Sequence, residues 1–460
     1  MIKRFLGSKQ FYSRVLTIAI PIVIQNGITQ FVSLLDNIMV GQVGTIAMSG
    51  VSIANQILFV FNLCIFGACG GAGIFTAQFH GSGDQQGVRY SFRFKYLICL
   101  LLAALGIGIL SLRGDTLLAL YLRGEGDPVS AEQTLEQGMR YLQLMLIGYI
   151  PFALTTAYST TLRETGKTVV PMAGGVAAVF VNLTLNYVLI FGHFGAPAMG
   201  VEGAAIATVI SRFVEFAIVA GWTHLNHRAV PFIVGAYRSI HIPKTLLLNI
   251  SRKGIPLLLN EFFWSTGVAF LNQCYSTCSL DVVPALNIAS TIQNLTNVTN
   301  LALGNAVGII TGQMLGAAHS REELTDANRK LLALSTMCGV IFGAVLFGIS
   351  EAFPMLYNTS DEIRQMASAL IRITALLMPV MSYVLSTYFT LRSGGLAFLT
   401  FLFDSCFMWA CPGLLAFCLS RFTNIPIIPL YAICQGTELL KCIIGTWLIN
   451  RGFWINNLTQ

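Results

Sequence analysis

The sequence predicts an all-α integral membrane protein of twelve transmembrane helices, arranged as two six-helix bundles. Three observations predict it: the composition, the length of the apolar runs, and a set of short motifs that occurs twice. Charged residues make up 10% of the 460 positions, against about a quarter in soluble domains. Hydrophobic residues make up 55%, and the mean hydropathy is +0.71.

Apolar runs near 20 residues are long enough to cross ~30 Å of hydrocarbon as helices. Barrel strands would show alternating segments of ~10 residues instead, and the sequence has none. Twelve runs occur, at roughly 15–40, 51–79, 92–112, 140–162, 169–191, 201–223, 254–276, 286–314, 331–350, 366–390, 396–419 and 427–449. The first is too long for a cleaved signal peptide, lacks a small-residue cleavage site and leads into further spans.

Charge sets the orientation. With both termini in the cytoplasm, 20 of the 27 Lys and Arg fall on inner segments. Arg113, Arg123, Arg140, Arg364 and Arg421 fall outside, and Arg212 and Arg372 lie within spans. That asymmetry is the positive-inside pattern of a multi-pass plasma-membrane protein. The net charge of +7 therefore reads as topology and not as a nucleic-acid surface.

Other classes find little support. The 11 cysteines lie almost all in apolar spans without a CxxC or a Cys/His cluster, which argues against a metal centre and a disulfide framework. No intramembrane nucleophile set suggests an enzyme, and no GxxxxGK[ST] loop suggests ATP-driven pumping. Gly67-x2-Gly70-Gly71-x-Gly73 lies inside an apolar run and reads as close helix packing. No cofactor is expected.

The chain is written twice. Ala19-Ile-Pro21 in the first run matches Gly254-Ile-Pro256 in the seventh. Thr76-Ala-Gln78-Phe-His-Gly81 matches Thr311-Gly-Gln313-Met-Leu-Gly316 at the same offset of 235 residues, and Thr161-Leu-Arg163 matches Thr390-Leu-Arg392. Six helices per copy is an even number, so both copies enter the membrane in the same direction and the repeat is parallel, about an axis along the membrane normal. Residues 1–223 and 254–460 are the expected bundles, with 224–253 as a basic cytoplasmic linker. Two such bundles suit a transporter that rocks about a central cavity.

One stretch, Phe31-Val-Ser-Leu-Leu-Asp36-Asn-Ile-Met-Val-Gly-Gln-Val-Gly44, carries the only Asp, Glu, Lys or Arg between Val15 and Gly83. A carboxylate in hydrocarbon needs a partner, a cation or a proton, so Asp36 is a functional candidate. Pro21 lies 15 residues before it and removes a backbone donor, which makes it a hinge candidate. Asn182 and Asn186, at i and i+4, share a helix face that is unsuited to lipid. Arg212 with Glu215, and Glu438 with Lys441, stand at i, i+3 and are expected to neutralise each other along their helices.

These residues resemble the multidrug and toxic compound extrusion (MATE) family. The resemblance rests on Pro21, Asp36-x3-Val40-Gly41, Gln78-Phe-His-Gly81, Leu162-Arg-Glu-Thr-Gly-Lys-Thr-Val-Val-Pro171, Asn182-Leu-Thr-Leu-Asn-Tyr-Val-Leu-Ile-Phe-Gly192 and Gly200-Val-Glu-Gly-Ala-Ala-Ile-Ala-Thr208. It implies a monomeric secondary multidrug efflux transporter that exports cationic or amphipathic organic compounds in exchange for Na⁺ or H⁺ by alternating access. It also implies a cation-coupling site at Asp36, Asn182, Asn186 and Thr208, with Asp36, Asn182 and Asn186 able to hold Na⁺. Glu261 matches a carboxylate found in part of the family. Its usual tenth-span partner is missing, which leaves Asp404 as an intramembrane alternative for C-bundle coupling or substrate binding, or as a salt-bridge partner of Arg372. A lipid-linked oligosaccharide flippase is the competing reading, but it would be expected to carry several cavity Arg or Lys.

Overall fold

The computed structural model describes residues 7–122, 128–279, 281–357 and 359–459, which are almost wholly helical. In chain order the helices are α1 (Lys9–Val43), α2 (Thr45–Gly81), α3 (Gln85–Tyr121), α4 (Pro128–Ile147), α5 (Tyr149–Glu164), α6 (Val169–Phe191) and α7 (Gly200–Leu225). Then come α8 (Lys244–Ser276), α9 (Val282–Gly316), α10 (Arg321–Ile349), α11 (Asp361–Ser393), α12 (Ala397–Phe422) and α13 (Ile427–Arg451). Each of the twelve apolar runs lies on these helices. Arg123, one of the outer arginines, lies outside the described residues.

Local chemistry sets the ends. Asp84 caps α3 by accepting from the backbone nitrogens of Gln86 (3.0 Å) and Gly87 (2.9 Å). Ser320 and Glu323 form a reciprocal capping box on α10, and such caps contribute about 1 kcal/mol each. Gly166 and Gly395 both adopt positive φ, +79° and +74°, at equivalent places after the Thr-Leu-Arg motif. There a side chain would be strained, so the repeat extends to backbone conformation.

The fourth run is two helices. α4 and α5 meet at Gly148 with a bend of 50°. Pro151 explains the break, because it has no N–H to give to the Ile147 carbonyl one turn back. Among the described residues ten helices are long and apolar enough to cross a membrane singly, and the bent pair makes an eleventh.

α9 has the length, 35 residues, but carries a polar face. Asn287, Ser290, Thr291, Asn294 and Asn297 recur at helical spacing and are exposed. The equivalent positions of α2 hold exposed Ser52, Asn55 and Gln56. Amides and hydroxyls are poorly suited to hydrocarbon.

The chain divides into two compact units. One holds Met1–Val23, Ala77–Gly83 and Arg252–Gln460, and the other holds Ile24–Thr76 and Asp84–Ser251. The divisions fall inside α1, two residues after Pro21, and inside α2, just before Gln78.

In the unit containing Arg252–Gln460, Val15, Ile18, Ala19 and Ile22 pack on Ala302, Leu303, Ala306 and Val307 of α9. A Cβ at Gly81 would overlap the Gln313 carbonyl, and one at Gly316 would overlap the Gln78 carbonyl. These are the repeat partners found in the sequence, in reciprocal contact. The Gln78 amide donates to the carbonyls of Ser393 (2.9 Å) and Asn456 (3.2 Å) and accepts from the Leu458 nitrogen (2.7 Å).

In the other unit, apolar residues of α1 to α7 share one core. Lys95, fully buried, pairs with Glu164, whose carboxylate lies where a Cβ on Gly73 would stand. The glycine-rich face of α2 is therefore room for an ion pair as well as for a helix. The segment between α7 and α8 is docked on α3. Arg93 donates to the carbonyls of Ala236 (2.7 Å), Gly235 (2.8 Å) and His241 (3.0 Å), and Arg89 to that of Phe232 (3.1 Å).

Candidate functional site

Asp36 lies on α1, seven residues before its end. α6 presents Asn182 and Asn186 on one face, as their spacing predicts, and α7 presents Thr208. The four come together. Asn186 Nδ2 donates to Asp36 Oδ1 at 2.6 Å and to Asn182 Oδ1 at 3.2 Å, and Asn182 Nδ2 donates to Thr208 Oγ1 at 3.2 Å. Asn182 satisfies both ends of its amide with the oxygen and nitrogen interchanged. Turned over, its nitrogen stands 3.0 and 3.3 Å from the Asp36 oxygens and donates to them, while its oxygen accepts from Thr208 Oγ1 at 3.2 Å.

The two orientations suit different states of Asp36. An ionised carboxylate alone favours the amide nitrogen facing it. A bound cation or a proton favours the amide oxygen. The Asn186 side-chain oxygen is buried without a hydrogen-bond partner among the described residues. The cluster thus offers carboxylate, amide and hydroxyl oxygens, the donor chemistry of a hard cation.

No basic side chain forms an ion pair with Asp36 among the described residues. Arg212, one turn beyond Thr208 on α7, acts on it from a distance. Its guanidinium is 3.7 Å from Glu215 and stacks 4.6 Å from the Phe152 ring centre. Tyr141, which donates to Asn55 Oδ1 at 3.2 Å, also feels the charges of Asp36 and Arg212. Sequence reasoning found the Arg212–Glu215 pair but gave no sign of Tyr141 or Asn55, because nothing in their local pattern points to Asp36.

Glu261 and Asp404 lie in the other unit. Glu261 is partly covered on α8 and forms no hydrogen bond or ion pair among the described residues. Asp404 is salt-bridged, but not to Arg372. Arg372 pairs with Glu351 and donates to Ser350 Oγ at 3.2 Å, whereas Asp404 Oδ1 accepts from Lys441 Nζ at 2.7 Å. Arg372 is drawn to the exposed carboxylate just past the end of the preceding helix, α10. The expected Glu438–Lys441 ion pair is likewise replaced, since Lys441 reaches across to α12 instead of back along α13. Lys441, placed with the inner charges by the sequence, is buried.

A family model described as MatE matches residues 21–188 and again 256–403. The two matches begin at Pro21 and Pro256, the same offset of 235 that relates the sequence motifs, and together cover well over half of the chain. The chain belongs to the MatE family. It is 26% identical over 360 residues to the probable multidrug resistance protein NorM of Thermotoga maritima, covering 78% of this chain and 75% of that one. It is 24% identical over 420 residues to the probable multidrug resistance protein YoeA of Bacillus subtilis, covering 89% and 87%. The fold matches a structure described as the outward-facing conformation of a multidrug resistance MATE family transporter, with a TM-score of 0.84, 18% identity and 98% of both chains covered. The MatE fold of two six-helix bundles and the membrane-transport class expected from the sequence are thus established.

Proposed function

We propose that this MatE chain is a secondary antiporter that exports amphipathic or cationic organic compounds in exchange for Na⁺ or H⁺, with Asp36 as the coupling group. One observation carries the proposal: a carboxylate on a membrane helix, ringed by amides and a hydroxyl, with no ion-pair partner among the described residues. Such a group needs a cation or a proton to be stable in that setting. The multidrug resistance names of the relatives support organic substrates. The polar faces of α2 and α9 support water-filled surroundings for part of the path. The basic residues support termini in the cytoplasm of a plasma-membrane protein, and the repeat supports bundles at 1–223 and 254–460.

In this reading Asp36 alternates between two states. When it holds the coupling cation, the amide oxygens of Asn182 and Asn186 and the Thr208 hydroxyl serve as further ligands or orient the carboxyl group. When it is empty, the amide nitrogens satisfy the carboxylate. The switch changes what α1 bonds to, and Pro21 gives that helix a place to bend. Cation and substrate must weaken each other's binding equally. One charge crossing 100 mV supplies about 2.3 kcal/mol, enough for a roughly fiftyfold gradient of a neutral substrate.

The test is ethidium transport by the full chain in vesicles under an imposed Na⁺ or proton gradient. Export is expected to follow one of the two gradients in the native protein and neither in Asp36→Asn. Export that ignores both gradients in the native protein would sink antiport.

A further inference from the structure

The second intramembrane aspartate is built differently from the first. α12 is not regularly α-helical. Leu402–Cys406 and Trp409–Gly413 are π turns, the latter containing Pro412. Each π turn inserts an extra residue and rotates the rest of the helix about its axis. Asp404, in the first of them, faces both α8 and α13. Its Oδ2 accepts from Asn260 Nδ2 at 3.1 Å and its Oδ1 from Lys441 Nζ at 2.7 Å. Ser405 Oγ is 2.8 Å from both the backbone and the side-chain oxygen of Asn260, and the Asn260 amide also reaches Tyr388 OH at 3.3 Å. The acid and its amide donor therefore tie together four helices, α8, α11, α12 and α13.

The ammonium has a cage of its own. Lys441 Nζ stands 5.4 Å from the Phe403 ring centre and 5.8 Å from that of Phe407. The side chains are little exposed, 8% for Lys441 and 18% for Asp404. One carboxylate and two aromatic faces is the chemistry that recognises an alkylammonium ion. Three other ionisable groups lie within electrostatic reach: Glu438, one turn back on α13, interacts with both Lys441 and Asp404, and Glu261 on α8 with Asp404 and with Arg392 of α11.

Asp36 and Asp404 each accept from an asparagine amide. Among the described residues only Asp404 has a lysine. We propose that Lys441 is a resident cation: its tethered ammonium fills a cation site formed by Asp404, Asn260, Phe403 and Phe407, so that this site takes no external ion during transport. Tethering gives the ammonium a high effective concentration at the carboxylate, and free ions compete poorly with it. Lys441 is then a specificity-determining residue, which leaves Asp36 to meet the coupling ion and sets Asp404 apart from it. The inference rests on the coupling role proposed for Asp36. Without Lys441 the same cage would accept a small alkylammonium ion.

The probe is n-butylammonium, which reproduces the lysine stem and head, added to the purified full chain during thermal unfolding. Lys441→Ala is expected to gain a saturable rise in melting temperature with butylammonium. The native chain should show no such rise, and Lys441→Ala/Asp404→Asn should bind the probe at least about tenfold more weakly. Equal responses in the native chain and Lys441→Ala, or a response that survives Asp404→Asn, would overturn the proposal. If Lys441→Ala does not fold, Asp404→Asn in the native background decides by titration with Na⁺ and with protons. The number of cations bound should be unchanged, because Glu438 remains to pair with Lys441, whereas loss of one bound cation would overturn the assignment. Asp36→Asn in the same titration separates the two claims, since an unchanged cation count there counts against the Asp36 reading and not against Lys441.

Discussion

The Asn186 amide donates to Asp36 at 2.6 Å, joining α6 to α1 across 150 residues of sequence. A hydrogen bond to a charged group contributes about 1.5–3 kcal/mol. Asn186→Ala removes that donor and also the unpartnered oxygen beside it. Because that donor stabilises the empty carboxylate, the half-saturating proton concentration is expected to fall at least about tenfold, a shift of ~1.4 kcal/mol. Export measured against proton concentration checks this, and an unchanged curve would remove Asn186 from the site.

Pro21 lies inside a continuous α1, close to where that helix passes from one compact unit to the other. Pro21→Ala restores the bond to the Thr17 carbonyl and stiffens the helix there. Turnover is expected to fall roughly tenfold, about 1.4 kcal/mol in the barrier, with ethidium affinity unchanged. Full coupled efflux in Pro21→Ala would end the hinge reading.

Glu164→Gln leaves the buried Lys95 ammonium without its counter-charge. Breaking a buried pair in this way costs about 3–5 kcal/mol, and the melting temperature should fall clearly. Gly73→Ala acts on the same pair, because its Cβ would overlap the Glu164 carboxylate. The two losses should not add. Independent, additive effects would show that Gly73 serves helix packing alone.

Gly81→Ala and Gly316→Ala each drive a methyl group into a carbonyl of the facing helix. Overpacking of this kind costs about 1–3 kcal/mol, and the reciprocal geometry predicts similar losses from both. Gly27 on α1 has open space around its Cβ position, so Gly27→Ala should be neutral or stabilising by about 0.5–1 kcal/mol. Melting temperatures of the three variants compare them directly.

Much of this was legible from residue spacing. The helices follow from apolar length, the doubled fold from Pro21 and Pro256 and from Gln78 and Gln313, and the shared face of Asn182 and Asn186 from helical periodicity. Three features were hidden for physical reasons. The bend at Gly148 lies within an unbroken apolar run: Pro151 permits a kink there, but hydropathy does not show that the run breaks into two helices. The polar face of α9 is diluted by the apolar residues around it. The Asp404–Lys441 pair depends on the π turns of α12, which shift the register that a regular helix would have. Spacing alone therefore assigned Lys441 to Glu438 and offered Arg372 to Asp404.

Coupling at Asp36 is tested most directly by the counter-flow of the cation itself. Vesicles containing the full chain are given ethidium on the side from which it is exported, and entry of Na⁺ or H⁺ is recorded as ethidium moves. Substrate-triggered cation entry is expected in the native protein. In Asp36→Asn this entry should be lost while ethidium still binds. Cation entry of equal size in Asp36→Asn would contradict the coupling role.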